Sequence, residues 1–247
     1  MRSKKIVLGF YSFMFLFFPH HYSLTAQESQ PSGISFSLSG DLVSSYVWRG
    51  FKQTGASVQP AVCLSAGNFT LGSWASTSLS DNGHKEVDFY VSYLVSGLGI
   101  TLTDYWWDGE GAHRYFSHPD KGNSGHMLEA GLSYTLPASF PLSLSWNTFF
   151  LGEGNKKANG DNSFSTYIEL SYPFSIKDVD LTVSTGFIPW ESSVYGPGMD
   201  SFKFTSVCIG ASKNIKITDS FNVPVFANII ANPAVEDIHF VFSITIQ

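Results

Sequence analysis

Acidic and polar side chains recur at every second position along this chain, and their types suit ion handling better than bond making. Asp41, Ser45, Arg49, Glu86, Asp88, Glu129, Glu169, Asp180 and His239 all fall on the polar side of alternating segments. Carboxylates spread along one face would line a water-filled passage and favour cations. The same groups would also serve as a plug of salt bridges and hydrogen bonds that stabilises the barrel. Both readings stand at this level.

A second set of reactive groups lies between 108 and 125, where His113 and His118, with His126 just beyond, mix with Asp108, Glu110 and Asp120. They could coordinate a divalent cation, but their spacing follows no recurrent zinc pattern, so no metal site and no cofactor are expected. His239 holds an interior position on the final segment, where a Ser–His hydrolase would need it. No third orienting group or oxyanion donor accompanies it, so a non-enzymatic protein is expected. Cys63 and Cys208 sit in segments that would not be neighbours in an up-and-down barrel, and are read as separate thiols.

The elements that must position these groups are strands. Ile34, Phe36, Leu38, Gly40 and Leu42 alternate with Ser35, Ser37, Ser39 and Asp41 at the start, and Ile238, Phe240, Phe242, Ile244 and Ile246 alternate with His239, Val241, Ser243, Thr245 and Gln247 at the end. A period of two means strands with two unlike faces, and strands at both ends can pair to close a sheet. Alternation and turn residues together predict strands at 34–49, 58–66, 69–79, 86–95, 98–107, 126–136, 142–150, 163–172, 179–187, 202–211, 223–230 and 238–247. The fold class is therefore all-β, an up-and-down antiparallel transmembrane β-barrel of about twelve strands, with ten or fourteen fitting the same even-number rule.

Arg2, Lys4 and Lys5, an apolar run from Ile6 to Phe18 and a small-residue exit at Leu24, Thr25 and Ala26 form a secretory signal peptide over 1–26, leaving 27–247 as the barrel. Its removal takes the formal charge from -6 to about -9. That acidic balance, with scattered Lys and Arg, argues against nucleic acid as a partner. Hydrophobic residues make up 43% of the chain and charged ones 14%, yet no stretch past the signal is long enough for a spanning helix, which leaves strands to carry the apolar surface.

Connections and aromatics give the barrel a direction. The odd-numbered connections average roughly 11 residues and the even-numbered ones roughly 5, as when long outer loops alternate with short periplasmic turns. Gly67-Asn68 and Ser96-Gly97 suit two-residue hairpins. Tyr46, Trp48, Trp106, Trp107, Phe149, Phe150, Phe187 and Trp190 cluster at the outer strand ends and read as an aromatic girdle in the headgroup layer.

The segment Leu42-Val43-Ser44-Ser45-Tyr46-Val47-Trp48-Arg49-Gly50-Phe51-Lys52-Gln53-Thr54 resembles the opening motif of the TorF-type porin family, a strand ending in Ser-Asp-Tyr-x-Phe-Arg-Gly before a short polar loop. Pro60 and Ala61, the run Leu71-Gly72-Ser73-Trp74-Ala75-Ser76 and the run Glu86-Val87-Asp88-Phe89-Tyr90 continue the resemblance. Ser45 stands where that family has Asp and Trp48 where it has Phe, while Arg49 and Gly50 are retained. On their own chemistry, these two are read as a strand-end arginine at the rim and a glycine that supplies the bend.

The resemblance implies a barrel and a pore without naming a solute. The expectation is a porin in the outer membrane of a Gram-negative bacterium. Its partners would be outer-membrane lipid and small hydrophilic solutes that diffuse passively, with some preference for cations. A plugged barrel acting through its outer loops is the alternative, and a lipid or ester hydrolase the third reading.

Overall fold

The computed structural model describes residues 33–80, 85–107, 115, 125–219 and 221–247. The export signal expected at 1–26 lies outside the described residues, as do Asp108, Glu110, His113, His118 and Asp120.

The described residues form fourteen strands: β1 (Ile34–Val43), β2 (Tyr46–Trp48), β3 (Phe51–Thr54), β4 (Ser57–Ala66), β5 (Phe69–Ser78), β6 (Lys85–Val95), β7 (Leu98–Trp107), β8 (His126–Thr135), β9 (Ser143–Leu151), β10 (Thr166–Ile176), β11 (Val179–Ile188), β12 (Lys203–Lys216), β13 (Asn222–Asn232) and β14 (Asp237–Ile246). Twelve of them close into an antiparallel up-and-down barrel in which β1 pairs β4, each later strand pairs the next, and β14 returns to β1. The closing seam runs from Gly40 opposite Ile246 to Val43 opposite Ser243, and Thr245 donates to Asp41 across it. Strands of 9 to 14 residues suffice for a tilted crossing of hydrocarbon.

The two faces of the wall separate as the alternation requires. Ile34, Phe36 and Leu38 of β1 and Phe240, Phe242 and Ile246 of β14 are among the most exposed side chains, and similar apolar residues face outward from every barrel strand. Asp41, Gln59, Glu86, Asp88, Glu129 and Asn228 are buried on the inner face. So large an apolar exterior is costly in water and natural in lipid, because a closed barrel leaves no backbone edge to be solvated.

The predicted first strand, 34–49, needs correction. β1 ends at Val43, Ser44 binds the backbone of Phe242, and the chain then leaves the wall as a separate two-stranded sheet of β2 and β3. Alternation continues through Tyr46, Val47 and Trp48, so periodicity alone carries the strand onward. The turn decides otherwise. Arg49 and Gly50 both adopt positive φ, 52° and 89°, which is the backbone of a tight two-residue hairpin between Trp48 and Phe51.

Candidate functional site: a hairpin inside the barrel mouth

The long-loop end of the barrel is filled by β2, β3 and their turn. Tyr46 and Trp48 lie in one buried cluster with Trp74, Tyr105, Phe149 and Tyr167 of the wall, while Val47, between them, packs with Cys208, Ile230 and Val241 on the opposite side. Alternation within the hairpin thus anchors it to both sides of the lumen. At the tip, Asn232 donates to the carbonyl of Gly50 at 3.1 Å. A Cβ on Gly50 would meet the backbone carbonyl of Thr205 at 1.7 Å, so only glycine fits the approach.

Arg49 is the centre of the site. Its guanidinium makes a two-pronged pair with Glu129, at 2.7 and 2.8 Å, and donates to the hydroxyl of Tyr195. Tyr105 donates to Glu129 at 2.9 Å, which completes the carboxylate's shell. Four rings surround the cation: Trp48 at 4.7 Å, Tyr167 at 4.8 Å, Tyr195 at 5.8 Å and Phe149 at 5.9 Å from the guanidinium carbon. With side-chain exposures of 6% and 3%, the Arg49–Glu129 pair is withdrawn from water. Aromatic faces and a planar fork then replace the lost hydration.

Neighbouring groups extend this arrangement. Tyr46 donates to Glu86 at 2.9 Å, and Tyr167 donates to Glu169 at 2.9 Å; the Tyr167 ring lies over Gly186, where any side chain would collide with it. The connection between β11 and β12 folds over the mouth, so that Tyr195 stacks on Phe51 at 5.9 Å and Met199 is buried beside it. Ser163 and Ser165 hold that connection by accepting from the backbone of Ser193 at 3.2 and 3.1 Å. Burial pushes the Tyr195 phenol up, partly offset by Arg49, and keeps it a neutral partner.

The other half of the lumen differs in chemistry. Thr70, Ser92, Thr101, Ser133, Ser145 and Ser171 share the inward face toward the short turns and are only half-buried. Hydroxyls can accept and donate to water without fixed charge, so this half forms a wettable vestibule below the hairpin.

The polar residues singled out from the sequence fall as follows. Asp41, Glu86, Asp88 and Glu129 are buried on the inner face, with Asp88 directly between Trp74 and Tyr105, and Glu169 is half-buried beside Tyr167. Ser45 is in the hairpin, donating to the Thr54 carbonyl at 3.0 Å. Asp180 lies opposite Ser212 near the short-turn end and accepts from Ser175 at 2.7 Å. His239 sits opposite Ile230, and its Nε2 is buried without a hydrogen-bond partner among the described residues. Arg49 is not at the rim, as its strand-end position predicted, because the turn carries it into the lumen.

Four girdle residues need the same correction. Tyr46, Trp48, Trp107 and Phe149 belong to the interior cluster, where they pack the hairpin against the wall. Trp106 is outward by alternation but buried beneath Tyr115, at 5.8 Å between rings. Phe187 meets the exposed rings of Phe202 and Phe204, Trp190 meets exposed Trp146, and Phe150 is half-buried next to exposed Leu151. An aromatic near a strand end serves the headgroup layer or the lumen according to parity. A bulge or hairpin resets that parity.

His126 binds Asp104 at 2.9 Å, and its other ring nitrogen lies 2.9 Å from the Tyr115 carbonyl. Asp104 was not anticipated; it faces outward opposite Phe89, and its pairing with His126 makes a charge tolerable on that side. Tyr195 and the loop that carries it were also missed. No periodic signal marks them, though Pro189, Pro197, Gly196 and Gly198 do mark a shaped connection. Cys63 and Cys208 are not joined in a disulfide, and the Cys63 Sγ lies 2.7 Å from the Tyr90 hydroxyl.

A closed twelve-strand barrel with this apolar exterior fits an outer-membrane barrel protein. No curated protein matches the sequence. A family model described as a bacterial protein of unknown function, Gcw_chp, matches residues 26–225, a span that takes in the hairpin, the Arg49 cage and the barrel up to the start of β13. The chain belongs to the Gcw_chp family of bacterial proteins.

Proposed function

We propose that the protein is a porin-type channel of a Gram-negative outer membrane, reached through a cleaved export signal, that passes small hydrophilic solutes with a preference for cations. The observation that carries this reading is the lumen itself: a closed ring of twelve strands whose accessible half is lined by hydroxyls and whose mouth carries Glu86, Asp88, Glu129 and Glu169 against Arg49. Twelve strands enclose more than the side-chain-filled interior of an eight-stranded barrel and less than the broad channel of a sixteen-stranded one. The hairpin is then a constriction set in the path. No catalytic step belongs to this reading.

The filled mouth also favours a second reading, a permanently plugged barrel that acts through its outer loops. Planar-bilayer recording separates the two. The intact protein should give discrete conductance steps with modest cation preference, and replacing 45–55 by a short Gly-Asn turn should raise the unit conductance several-fold. A folded barrel that stays silent with the hairpin removed would sink the channel and leave the plugged one.

A further inference from the structure

Nearly everything that surrounds Arg49 belongs to the wall or to a long connection, not to the hairpin. Glu129 and Tyr105 come from β8 and β7, Phe149 and Tyr167 from β9 and β10, and Tyr195 from the connection after β11. Trp48 is the hairpin's sole ring over the guanidinium. Subtract the hairpin and the wall still presents a carboxylate, oriented by the Tyr105 hydroxyl, at the base of an aromatic pocket. That is a receptor for a cation whose charge is spread over a flat group, because aromatic faces attract such ions and a carboxylate takes them in a two-pronged pair.

Stability alone gives little reason for an ion pair at this position. Hydrophobic side chains of similar volume often hold buried elements together as well as a desolvated pair or better, whereas removing one partner is severely penalised. A hairpin meant only as a plug could be held by leucine. One held by a guanidinium is held by a group that a free cation can imitate.

We propose that the Glu129–aromatic pocket is a binding site for organic cations of the guanidinium class and that Arg49 occupies it as a built-in ligand, so that a solute of this class competes with the hairpin and opens the mouth. This rests on the channel reading for its consequence, though not for the binding itself. Occupancy by Arg49 holds the mouth constricted; occupancy by solute releases the tip, held otherwise by Asn232 on the Gly50 carbonyl. The vestibule below then meets the outside through a wider opening.

The test uses the full barrel in detergent and in bilayers, with guanidinium chloride at low millimolar concentration and sodium chloride holding ionic strength constant. Trp48 reports on the pocket. In Arg49→Ala, fluorescence should respond to guanidinium saturably, at concentrations at least ~10-fold lower than in the unaltered protein. The response should vanish in Arg49→Ala/Glu129→Gln and should be absent with sodium. Tetramethylammonium, which offers no N–H to Glu129, should bind more weakly; equal binding would overturn the guanidinium assignment.

Should Arg49→Ala fail to fold, as read by loss of heat-modifiable mobility, Arg49→Lys takes its place and should open at lower guanidinium than the unaltered barrel. An unchanged threshold, or identical titrations for Arg49→Ala and the unaltered protein, overturns the site. In bilayers, guanidinium should raise the conductance of the unaltered protein, whereas Arg49→Ala channels, already released, should not open further. A fluorescence response in a barrel that never conducts keeps the site and removes the channel, while conductance of the unaltered protein that is indifferent to guanidinium does the reverse.

Discussion

The two halves of the lumen obey different physics. Toward the long loops, Tyr46, Tyr105, Phe149, Gln59, Glu86 and Asp88 are almost wholly buried, Tyr46 donates to Glu86, and Glu129 is held by Arg49 and Tyr105. Toward the short turns, Ser92, Thr101, Ser133 and Ser145 remain half-buried with no hairpin across them. The wall is continuous and its alternation does not change between the halves. The difference is that one half receives an extra element from within the chain, and low-dielectric contacts follow from that. The filling of this barrel is local, because the hairpin is its own two-stranded sheet and not part of the wall's closed ladder.

The comparison is broken most forcefully at Glu129. In Glu129→Ala, Arg49 would be left buried without its carboxylate, at a cost of about 3–5 kcal/mol. The hairpin is a sheet separate from the wall, so that cost should surface as lost protection of the hairpin amides in hydrogen exchange, with β1 and β14 unaffected. Equal loosening of wall and hairpin would show that the two halves are one cooperative unit.

Gly50→Ala comes next. Positive φ and the Thr205 carbonyl both oppose a methyl group there, so roughly 1–3 kcal/mol should be lost from the docked hairpin. Trp48 emission should shift to longer wavelength as the mouth hydrates, and an unshifted spectrum would mean the tip tolerates displacement.

In the vestibule, Ser133→Ala removes a hydroxyl that faces an accessible lumen, and its effect on stability should stay within about 0.5 kcal/mol. A larger loss in urea titration would mark that half as packed like the other.

The smallest effect belongs to the short turn between β10 and β11. A hydrogen bond from Lys213, at 2.8 Å in the ion pair, holds the Asp178 carboxyl below the usual carboxylate range. A depressed pKa favours the folded state above about pH 4 and loses that favour as pH falls through the folded value. Both partners are exposed, so Lys213→Gln should match the unaltered protein at moderate salt and differ, barely, only at low salt and neutral pH. A clear difference at high salt would mean the turn is not solvated.

Most wall strands were legible because burial on one side and lipid on the other impose a period of two that local composition records. β7 begins and ends where alternation and its Gly97 turn place it, and β5 and β8 differ by one residue at one end. The interior acids were legible for the same reason, since parity alone sends Glu86, Asp88 and Glu129 inward. The site was not. Tyr46 and Trp48 carry the strand pattern and an aromatic composition that serve a headgroup belt and an inner plug equally well. Only the positive φ at Arg49 and Gly50 distinguishes the two, and an arginine gives no advance notice of it.

By itself, then, the sequence determined an all-β chain with one apolar and one polar face per strand, because pleat parity is a property of neighbouring residues. The tertiary structure decided that the first outer connection turns inward and that Arg49 meets Glu129, 80 residues away. That pairing depends on the barrel's closure. Tyr105, Phe149, Tyr167 and Tyr195 surround one point only after the wall has brought their strands around it.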